Sequence, residues 1–390
     1  MARSSSASAR LHAEIDALRE ADLRRRRTLK WGAIDADVLP AWVAEMDYPV
    51  APAATEAVIA AVAKGDLGYP VARAYVEAFA RWAWERQQWR VEPAQLTPVA
   101  DVLAGIESAL HTLTAPGDGV VVLTPTYPAF LRILKKLGRR LSECALLDGP
   151  DGWRMDFDAI SDALAGGAKA VVLCHPHNPT GRVWSRAELT TLAGLVDAHG
   201  AHVVSDEIHA PLAADFVPYG LIAGHSVTVT SVTKGWNVAG LKGAVLVCQP
   251  ETARVAAAIP PHERQRASVP SLAAGAALWS DDGGWLAAIR DYLALTRAEL
   301  RKWVDDRPGI RWHTAETGYL AWLDVRDAGL GPDPAEVVLD RARVALDPGS
   351  RYAPTGSAVA DGFIRFNHAT SVPLLRTMLG RIGDLLDSVQ

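Results

Sequence analysis

The sequence predicts an α/β protein with a mostly parallel central sheet, helices on both faces of that sheet and a smaller α+β domain at the C-terminal end. Two observations support this prediction. Almost continuously apolar runs at 119–123 (GVVVL), 170–174 (AVVLC) and 202–205 (HVVS) alternate with helical patterns, as expected of parallel strands buried on both faces. After residue 285 a long helical stretch is followed by strand-like pieces, which indicates a second, smaller unit.

The composition is typical of a folded protein without a nucleic-acid partner. The 390 residues are 49% hydrophobic and 22% charged, with a net charge of −5, so the chain can bury a large core and has no basic surplus for nucleic acid. Cys144, Cys174 and Cys248 are too few and too scattered for a disulfide framework, which favours a reducing cytoplasm. With no secretion signal and no apolar run of roughly 18 residues, we expect neither export nor membrane insertion.

The N-terminal segment is predicted to form an arm followed by two helices. Residues 1–50 contain one short helical pattern, a basic block at 24–27 and the start of a proline-punctuated extended stretch, and we expect them to join the small domain. The basic block is interpreted as a solvated or dimer-facing helix end, because little basic sequence surrounds it. Helices are predicted over 53–64, where Gly65 ends the pattern, and over 74–89.

A turn beginning at residue 97 leads into a helix that ends near residue 113. The free backbone N–H groups at the start of a helix attract anions. Ala100, Asp101 and Val102 are therefore candidates for binding a phosphate group.

Polar residues follow each predicted strand of the central sheet at the point where the strand ends. In parallel α/β sheets the ligand crevice lies outside the carboxyl ends of the strands. We therefore expect one site to contain these side chains, which are Tyr127, Asn178, Asp206, His209, Ser231 and Lys234.

Lys234 is the candidate nucleophile of this site. It directly follows a strand predicted over 228–232, among hydroxyl side chains and glycines, and a further strand is predicted over 243–248. Burial lowers the pKa of an amine because it disfavours the ammonium form, and the neutral amine is the form that attacks an aldehyde. A lysine near a strand end is more often a solvated surface residue, so this interpretation depends on the polar residues that precede it.

The C-terminal part combines strands and helices in a different order. A helix is predicted over 285–303, strands over 318–325 and 362–366, and a closing helix from residue 372. We expect residues 51–284 to form the large domain and residues 285–390 the small one.

The candidate residues match the groups that hold pyridoxal 5'-phosphate. Lys234 can bond to the aldehyde, Asp206 can keep a ring nitrogen protonated because an opposite charge stabilises the cation, and Asn178 can donate to a phenolate oxygen. His209 can assist Asp206, and Tyr127 offers a flat ring for stacking. Donors for the phosphate are Ser231, Lys242 and the backbone of residues 100–102. The sequence thus predicts a cofactor whose ring accepts the electrons of a carbanion.

The motifs HNPTG (177–181), SDEIH (205–209) and SVTK (231–234) resemble those of the class I/II aminotransferase superfamily, which has the fold type I of PLP-dependent transferases. Asn178, Asp206 and Lys234 are spaced at intervals of 28 residues, close to the usual spacing of that superfamily. The resemblance runs from about residue 30 to the C-terminus. The segments 42–49 (WVAEMDYP) and 319–324 (YLAWLD), together with His209, are similar to the MalY/PatB branch of cystathionine β-lyase type carbon–sulfur lyases.

The resemblance implies roles for two further residues, and the sequence departs from the family pattern at two positions. It implies that Arg365 binds the α-carboxylate of an amino-acid substrate, and that Tyr69 reaches the phosphate of the neighbouring subunit in a homodimer. Lys242 stands where many members have arginine, which would make the phosphate contact a point charge rather than a fork. Asp101 lies in the expected phosphate turn, where its carboxylate would repel the phosphate unless it caps the helix and turns away.

Two reactions fit this set of residues. If Cβ of the substrate carries a thiolate leaving group, removal of the Cα proton by Lys234 leads to elimination, giving a thiol, pyruvate and ammonia. If the proton returns to the cofactor instead, the outcome is transamination. The resemblance to the branch favours elimination from cystathionine or a related cysteine thioether, with an aminotransferase as the alternative.

Three other classes of protein are considered. A metal site would need histidine and cysteine spacings that are absent from the sequence. A transcriptional regulator would need a DNA-binding domain, for which the residues before Trp31 leave no room. A cofactor-binding protein without catalysis is disfavoured because no expected catalytic residue is missing.

Overall fold

A seven-stranded mixed sheet forms the centre of the protein. The structure, a computed structural model, describes residues 2–281 and 284–389, with side chains from residue 7 onward. Across the sheet the strands are Leu96–Val99, Ala244–Cys248, Ser226–Thr230, His202–Asp206, Ala168–Cys174, Gly119–Thr124 and Arg140–Ala145. The last five are parallel to one another, and Ala244–Cys248 is antiparallel to both of its neighbours. The predicted mostly parallel sheet is thus confirmed.

The sheet is covered on both faces because alternate side chains of a strand point to opposite sides. Val121 and Val171 pack in a cluster that contains the helices Phe157–Ala165 and Arg186–Ala198. Val120, Val122, Ala170 and Val172 pack in another cluster, with the helices Val102–Leu113 and Pro128–Leu137. Each fully buried valine or leucine contributes about 1.5–3 kcal/mol of transfer free energy, so the apolar runs hold both layers in place.

The helices that the sequence predicts are present with small shifts at their ends. The other helices of eight residues or more are Ala2–Asp16, Pro52–Lys64, Arg73–Gln87, Val269–Trp279, Gly284–Asp305 and Val372–Asp387. Gly65 ends its helix in the left-handed conformation, with a φ of 75°, as a C-terminal glycine does. Shorter helices span Glu20–Arg24, Leu29–Gly32, Val232–Gly235, Ala253–Ala258, Pro261–Arg264 and Pro334–Val337. Within the described ranges, no helix is long and apolar enough to cross a membrane.

A second, three-stranded antiparallel sheet lies in the C-terminal part. Its strands are Leu320–Asp324, Phe363–Asn367 and Asp347–Pro348. The remaining paired strands are Leu39–Pro40 with Val344–Ala345, and Leu147–Gly149 with Gly152–Arg154. Trp31 and Leu39 belong to the same hydrophobic cluster as the C-terminal residues Phe366 and Leu375. On this packing we propose that residues 1–50 form an arm of the small domain 285–390, next to the large domain 51–284.

Candidate active site

The carboxyl ends of the parallel strands border a cavity of about 440 Å³, within the range of roughly 300–1,000 Å³ that is usual for small-molecule sites. Of the predicted site residues, those that line it are Asp101, Val102, Tyr127, Asn178, Asp206, His209, Ser231, Lys234, Lys242 and Arg365. Ala100 does not line the cavity, and Tyr69 lies on the surface with 90% of its area exposed. Ten positions spread over the sequence therefore come together in one place.

Lys234 lies in a one-turn helix directly after the strand Ser226–Thr230. The helix Val232–Gly235 begins where the sequence predicts the end of the strand, because the Ser231 hydroxyl caps it by accepting a hydrogen bond from the Thr233 N–H at 3.2 Å. The Lys234 Nζ donates to the Ala44 carbonyl oxygen at 2.6 Å. Desolvation by the surrounding protein lowers the pKa of this amine to about 8, so a useful fraction is neutral near neutral pH.

Asp206 is the last residue of the strand His202–Asp206 and is 4% exposed. One carboxyl oxygen accepts a hydrogen bond from the Ile208 N–H at 3.1 Å. Burial raises the pKa of this carboxyl group to about 7, and Lys234 opposes the rise only in part. A cationic group placed against Asp206 would lower that pKa again and would itself be held in its protonated form.

His209 follows Asp206 by three residues and is also buried. Burial lowers the pKa of its imidazole to about 3, so the ring is neutral at physiological pH. It packs edge to face against Tyr319, with 6.1 Å between the ring centres.

Asn178 and Arg365 line the cavity and contact each other. The Arg365 guanidinium donates to the Asn178 side-chain oxygen at 3.2 Å and to the Asp347 carboxylate at 2.8 Å. Because the oxygen of Asn178 is engaged, its amide nitrogen is the group left to donate to a ligand. The Arg365 Nε is buried and has no hydrogen-bond partner among the described residues, and a buried donor of this kind needs an acceptor.

Lys242, a further cation of the cavity lining, lies next to the start of a helix. One oxygen of Asp101 caps the helix Val102–Leu113 by accepting from the Ala104 N–H at 2.9 Å, and the other lies 3.1 Å from the Lys242 Nζ. Asp101 thus caps the helix, but it does not turn away from the cavity, because its second oxygen pairs with Lys242 there. Lys242 has a φ of 64°, a left-handed conformation that is uncommon outside glycine.

The Ser231 hydroxyl is already engaged within the protein. It donates to the Gly243 carbonyl oxygen at 2.7 Å and accepts from the Thr233 N–H. A phosphate contact through this hydroxyl would replace the bond to Gly243. Tyr127 precedes the helix Pro128–Leu137 and packs edge to face on Phe130, with 5.7 Å between the ring centres. The Tyr127 ring also lines the cavity.

Sequence reasoning missed several cavity residues, of which Asp347 has the most contacts. Its carboxylate accepts from Arg365, from the Tyr352 hydroxyl at 2.5 Å and from Arg351 at 2.7 Å. In the sequence, Asp347 and Arg351 flank the Pro348–Gly349 dipeptide, and this pair of charged residues could have indicated a functional loop. In the parts of the chain that the structure describes, no group of three or more His, Cys, Asp or Glu side chains could hold a metal ion.

Comparison with known proteins places these residues in a family. The family model "Aminotransferase class I and II" matches residues 37–382. A Mycobacterium leprae protein named "Putative cystathionine beta-lyase" is 38% identical, over 93% of this chain and 96% of its own length. Cystathionine beta-lyase PatB of Bacillus subtilis is 31% identical, over 89% and 92%.

A solved structure has the same fold. It is described as a "putative plp-dependent beta-cystathionase" from Corynebacterium diphtheriae, is 29% identical to this chain and superposes with a TM-score of 0.88. The match covers 95% of this chain and 98% of the other. Since the family match spans most of the chain and the relatives match it over nearly their full length, this protein is a member of the class I and II aminotransferase family.

Proposed function

We propose that the protein is a pyridoxal-phosphate-dependent carbon–sulfur lyase that converts cystathionine or a related cysteine thioether into a thiol, pyruvate and ammonia. The names of its relatives support this function. The observation that carries it is that Lys234, Asp206, Asn178 and Arg365 line one cavity. These four side chains offer an amine, a carboxylate, an amide donor and a guanidinium, a set that suits an aldehyde cofactor and an amino-acid substrate.

The donor set of the cavity fits pyridoxal phosphate. Lys234 would hold the aldehyde carbon, Asp206 the ring nitrogen and Asn178 the phenolic oxygen, with His209 neutral beside Asp206. The remaining residues proposed for the ring and the phosphate are Tyr127, Ser231, Lys242 and residues 100–102. When bound, the cofactor supplies an electron sink for the charge that develops at the substrate Cα.

The protein's own groups would move one proton and orient the substrate. The neutral Lys234 amine takes the Cα proton at Nζ, and its lowered pKa of about 8 suits a base that works near neutral pH. Arg365 would pair with the α-carboxylate through its free Nε, while Asp347 and Asn178 keep the guanidinium in place. In the overall reaction one water is consumed, the Cβ–S and Cα–N bonds break, and the leaving sulfur takes a proton.

Transamination is the second candidate, and the description of the matching family favours it. Both reactions use the same proton transfer at Cα, so the substrate decides between them. The cofactor-loaded protein should release free thiol from L-cystathionine faster than it transfers the amino group of L-alanine to 2-oxoglutarate. Faster amino transfer, with no thiol released, would favour the aminotransferase.

The Asp101–Lys242 pair predicts an effect on cofactor affinity. The Asp101 carboxylate would repel a phosphate dianion and competes with it for Lys242, 3.1 Å away. Asp101→Asn retains the helix cap, because asparagine caps as well as aspartate, but removes the charge. We expect it to bind pyridoxal phosphate a few-fold to about tenfold more tightly, a modest effect because both partners are partly exposed.

Titration of the cofactor-free protein with pyridoxal phosphate would measure this affinity. Asp101→Ala is the matched control, since it removes the charge and the cap together and should also lower stability by about 1 kcal/mol. Weaker binding by Asp101→Asn would contradict the prediction and would mean that the carboxylate positions Lys242 for the phosphate.

A homodimer is proposed from the exposed apolar residues near Tyr69. Leu67, Tyr69 and Val71 are 58%, 90% and 83% exposed, with Ile59 and Val62 of the preceding helix also exposed. Five large apolar residues exposed within thirteen positions of sequence favour an interface here, and Tyr69 would reach the cofactor phosphate of the partner.

We expect the wild-type protein to sediment at twice the mass of one chain, and Val71→Asp to shift it toward one chain, because a charge at the interface cannot be desolvated cheaply. Leu221→Asp, at an exposed apolar residue distant in sequence, is the control and should leave the mass unchanged. A wild-type protein that sediments as a single chain would refute the dimer.

A cytoplasmic location is proposed from the cysteines. Cys144, Cys174 and Cys248 are all buried free thiols, which suits a reducing compartment. Fractionation of the source cells, with the protein recovered outside the soluble fraction, would refute this location.

A further inference from the structure

Most of the cations that line the active-site cavity are already paired. Lys242 lies 3.1 Å from Asp101, and Arg365 and Arg351 lie 2.8 and 2.7 Å from the two oxygens of Asp347. Arg132 also lines the cavity but, within the described ranges, has neither an ion pair nor a hydrogen bond. Arg132 is exposed, and its guanidinium borders the cavity without the carboxylate contact that Arg365 and Arg351 share.

The helix that carries Arg132 directs this residue to the cavity. The helix spans Pro128–Leu137, and Pro128, four residues earlier and so on the same helical face, lines the cavity as well. The positive charges of Arg365 and Arg132 both act on the Tyr127 hydroxyl and oppose the rise in its pKa that burial causes. Arg132 therefore lies on the side of Tyr127, within reach of the same cavity as Arg365.

Two further acids line the cavity, Glu45 and Asp206, and in the described parts of the chain neither forms an ion pair with Arg132. Both carboxylates act on the Lys234 amine, whose protonated form they stabilise. The Arg132 guanidinium is therefore free to meet an anionic group of a ligand that enters the cavity.

We infer that Arg132 binds a second carboxylate on the substrate, at the far end of the group attached to sulfur. This inference rests on the proposed function. With the α-carboxylate on Arg365, the substituent on sulfur would extend along the cavity toward Arg132. The substrate class is then a cysteine thioether that ends in a carboxylate, as cystathionine does, in preference to a simple S-alkyl cysteine. A guanidinium suits this role because its planar fork matches a carboxylate.

Arg132→Met tests the inference on two substrates that differ in the distal carboxylate. For L-cystathionine we expect kcat/KM to fall about 10- to 100-fold, the usual loss for one charge-assisted contact. For S-ethyl-L-cysteine it should change less than about twofold, and Arg132→Lys should restore part of the loss on cystathionine. Lys135→Met removes a cation from the same helix outside the cavity lining and should change neither substrate.

A binding measurement separates this inference from the proposed function. L-2-Aminosuberate and L-2-aminooctanoate have chains of equal length and differ in a terminal carboxylate against a methyl group. Calorimetry on the cofactor-loaded wild type should show tighter binding of the first, and Arg132→Met should abolish that preference. The wild type could prefer L-2-aminosuberate over L-2-aminooctanoate and yet cleave neither thioether. That result would refute the proposed function but would support a carboxylate site at Arg132.

Two results would overturn the inference. Equal losses on both thioethers would make Arg132 a structural or cofactor residue. No loss on cystathionine, with no preference between the two amino acids, would make it a solvated surface cation.

Discussion

Lys234→Ala is expected to lower the rate of thioether cleavage by about 10³-fold or more, because it removes both the amine that would hold the cofactor and the base that takes the Cα proton. Burial lowers the pKa of the Lys234 amine. The charges of Lys234 and Asp206 each shift the pKa of the other group. The measurement is kcat with L-cystathionine at saturating pyridoxal phosphate, together with the visible absorption band of the protein.

Two variants control for charge and for folding. Lys234→Arg keeps a cation at this position but, because a guanidinium stays protonated, it cannot act as a neutral amine, so it should be about as inactive as alanine. Lys169→Ala, at an exposed lysine in the central-sheet strand Ala168–Cys174, should retain full activity. Substantial turnover by Lys234→Ala, in a preparation whose thermal unfolding matches that of the wild type, would contradict the role of Lys234.

Asp206→Asn should have the second-largest effect, a decrease of about 10²- to 10³-fold in kcat, comparable to the loss of one preorganised electrostatic group in other enzymes. Asparagine has nearly the same shape but no charge, so it cannot hold a proton on a ring nitrogen. The carboxyl group is buried and has a raised pKa of about 7, so a cationic partner brings it back to its ionised form.

The informative comparison is with Asp206→Glu, which keeps the charge with one more methylene and should retain more activity than Asp206→Asn. Cofactor content, read from absorbance after acid release, separates a slow reaction from a lost cofactor. An Asp206→Asn enzyme that is fully loaded and retains more than about a tenth of the wild-type kcat would refute the electrostatic role.

The sequence predicted the centre of the fold and most of the cavity because both depend on local pattern. Apolar runs such as 119–123 mark strands buried on two faces, and polar residues at their carboxyl ends meet because the strands are parallel. Local pattern also sets the start of the helix Arg186–Ala198, where Ser185 and Glu188 form a capping box with reciprocal hydrogen bonds. The strand predicted over 228–232 ends earlier, at Thr230, because Ser231 caps the turn that carries Lys234.

The edge strands of the central sheet and the ion pairs of the cavity were not predicted, because they depend on contacts between distant parts of the chain. The strand Leu96–Val99 contains a proline, and the edge strand Arg140–Ala145 is largely polar, so neither has the pattern of a central strand. Asp101 and Lys242 are 141 residues apart, and the contacts of Asp347 with Arg365 and Arg351 require the second sheet to be folded. Residue pattern alone could not reveal which cations of the cavity are paired, and hence that Arg132 is not.

The most direct test of the account is the balance of products from L-cystathionine when no α-keto acid is added. The cofactor-loaded protein should form free thiol, pyruvate and ammonia in equal amounts over many turnovers, since elimination regenerates the enzyme without a second substrate. A burst of at most one equivalent of product per site, with further reaction only after 2-oxoglutarate is added, would contradict the lyase and identify an aminotransferase.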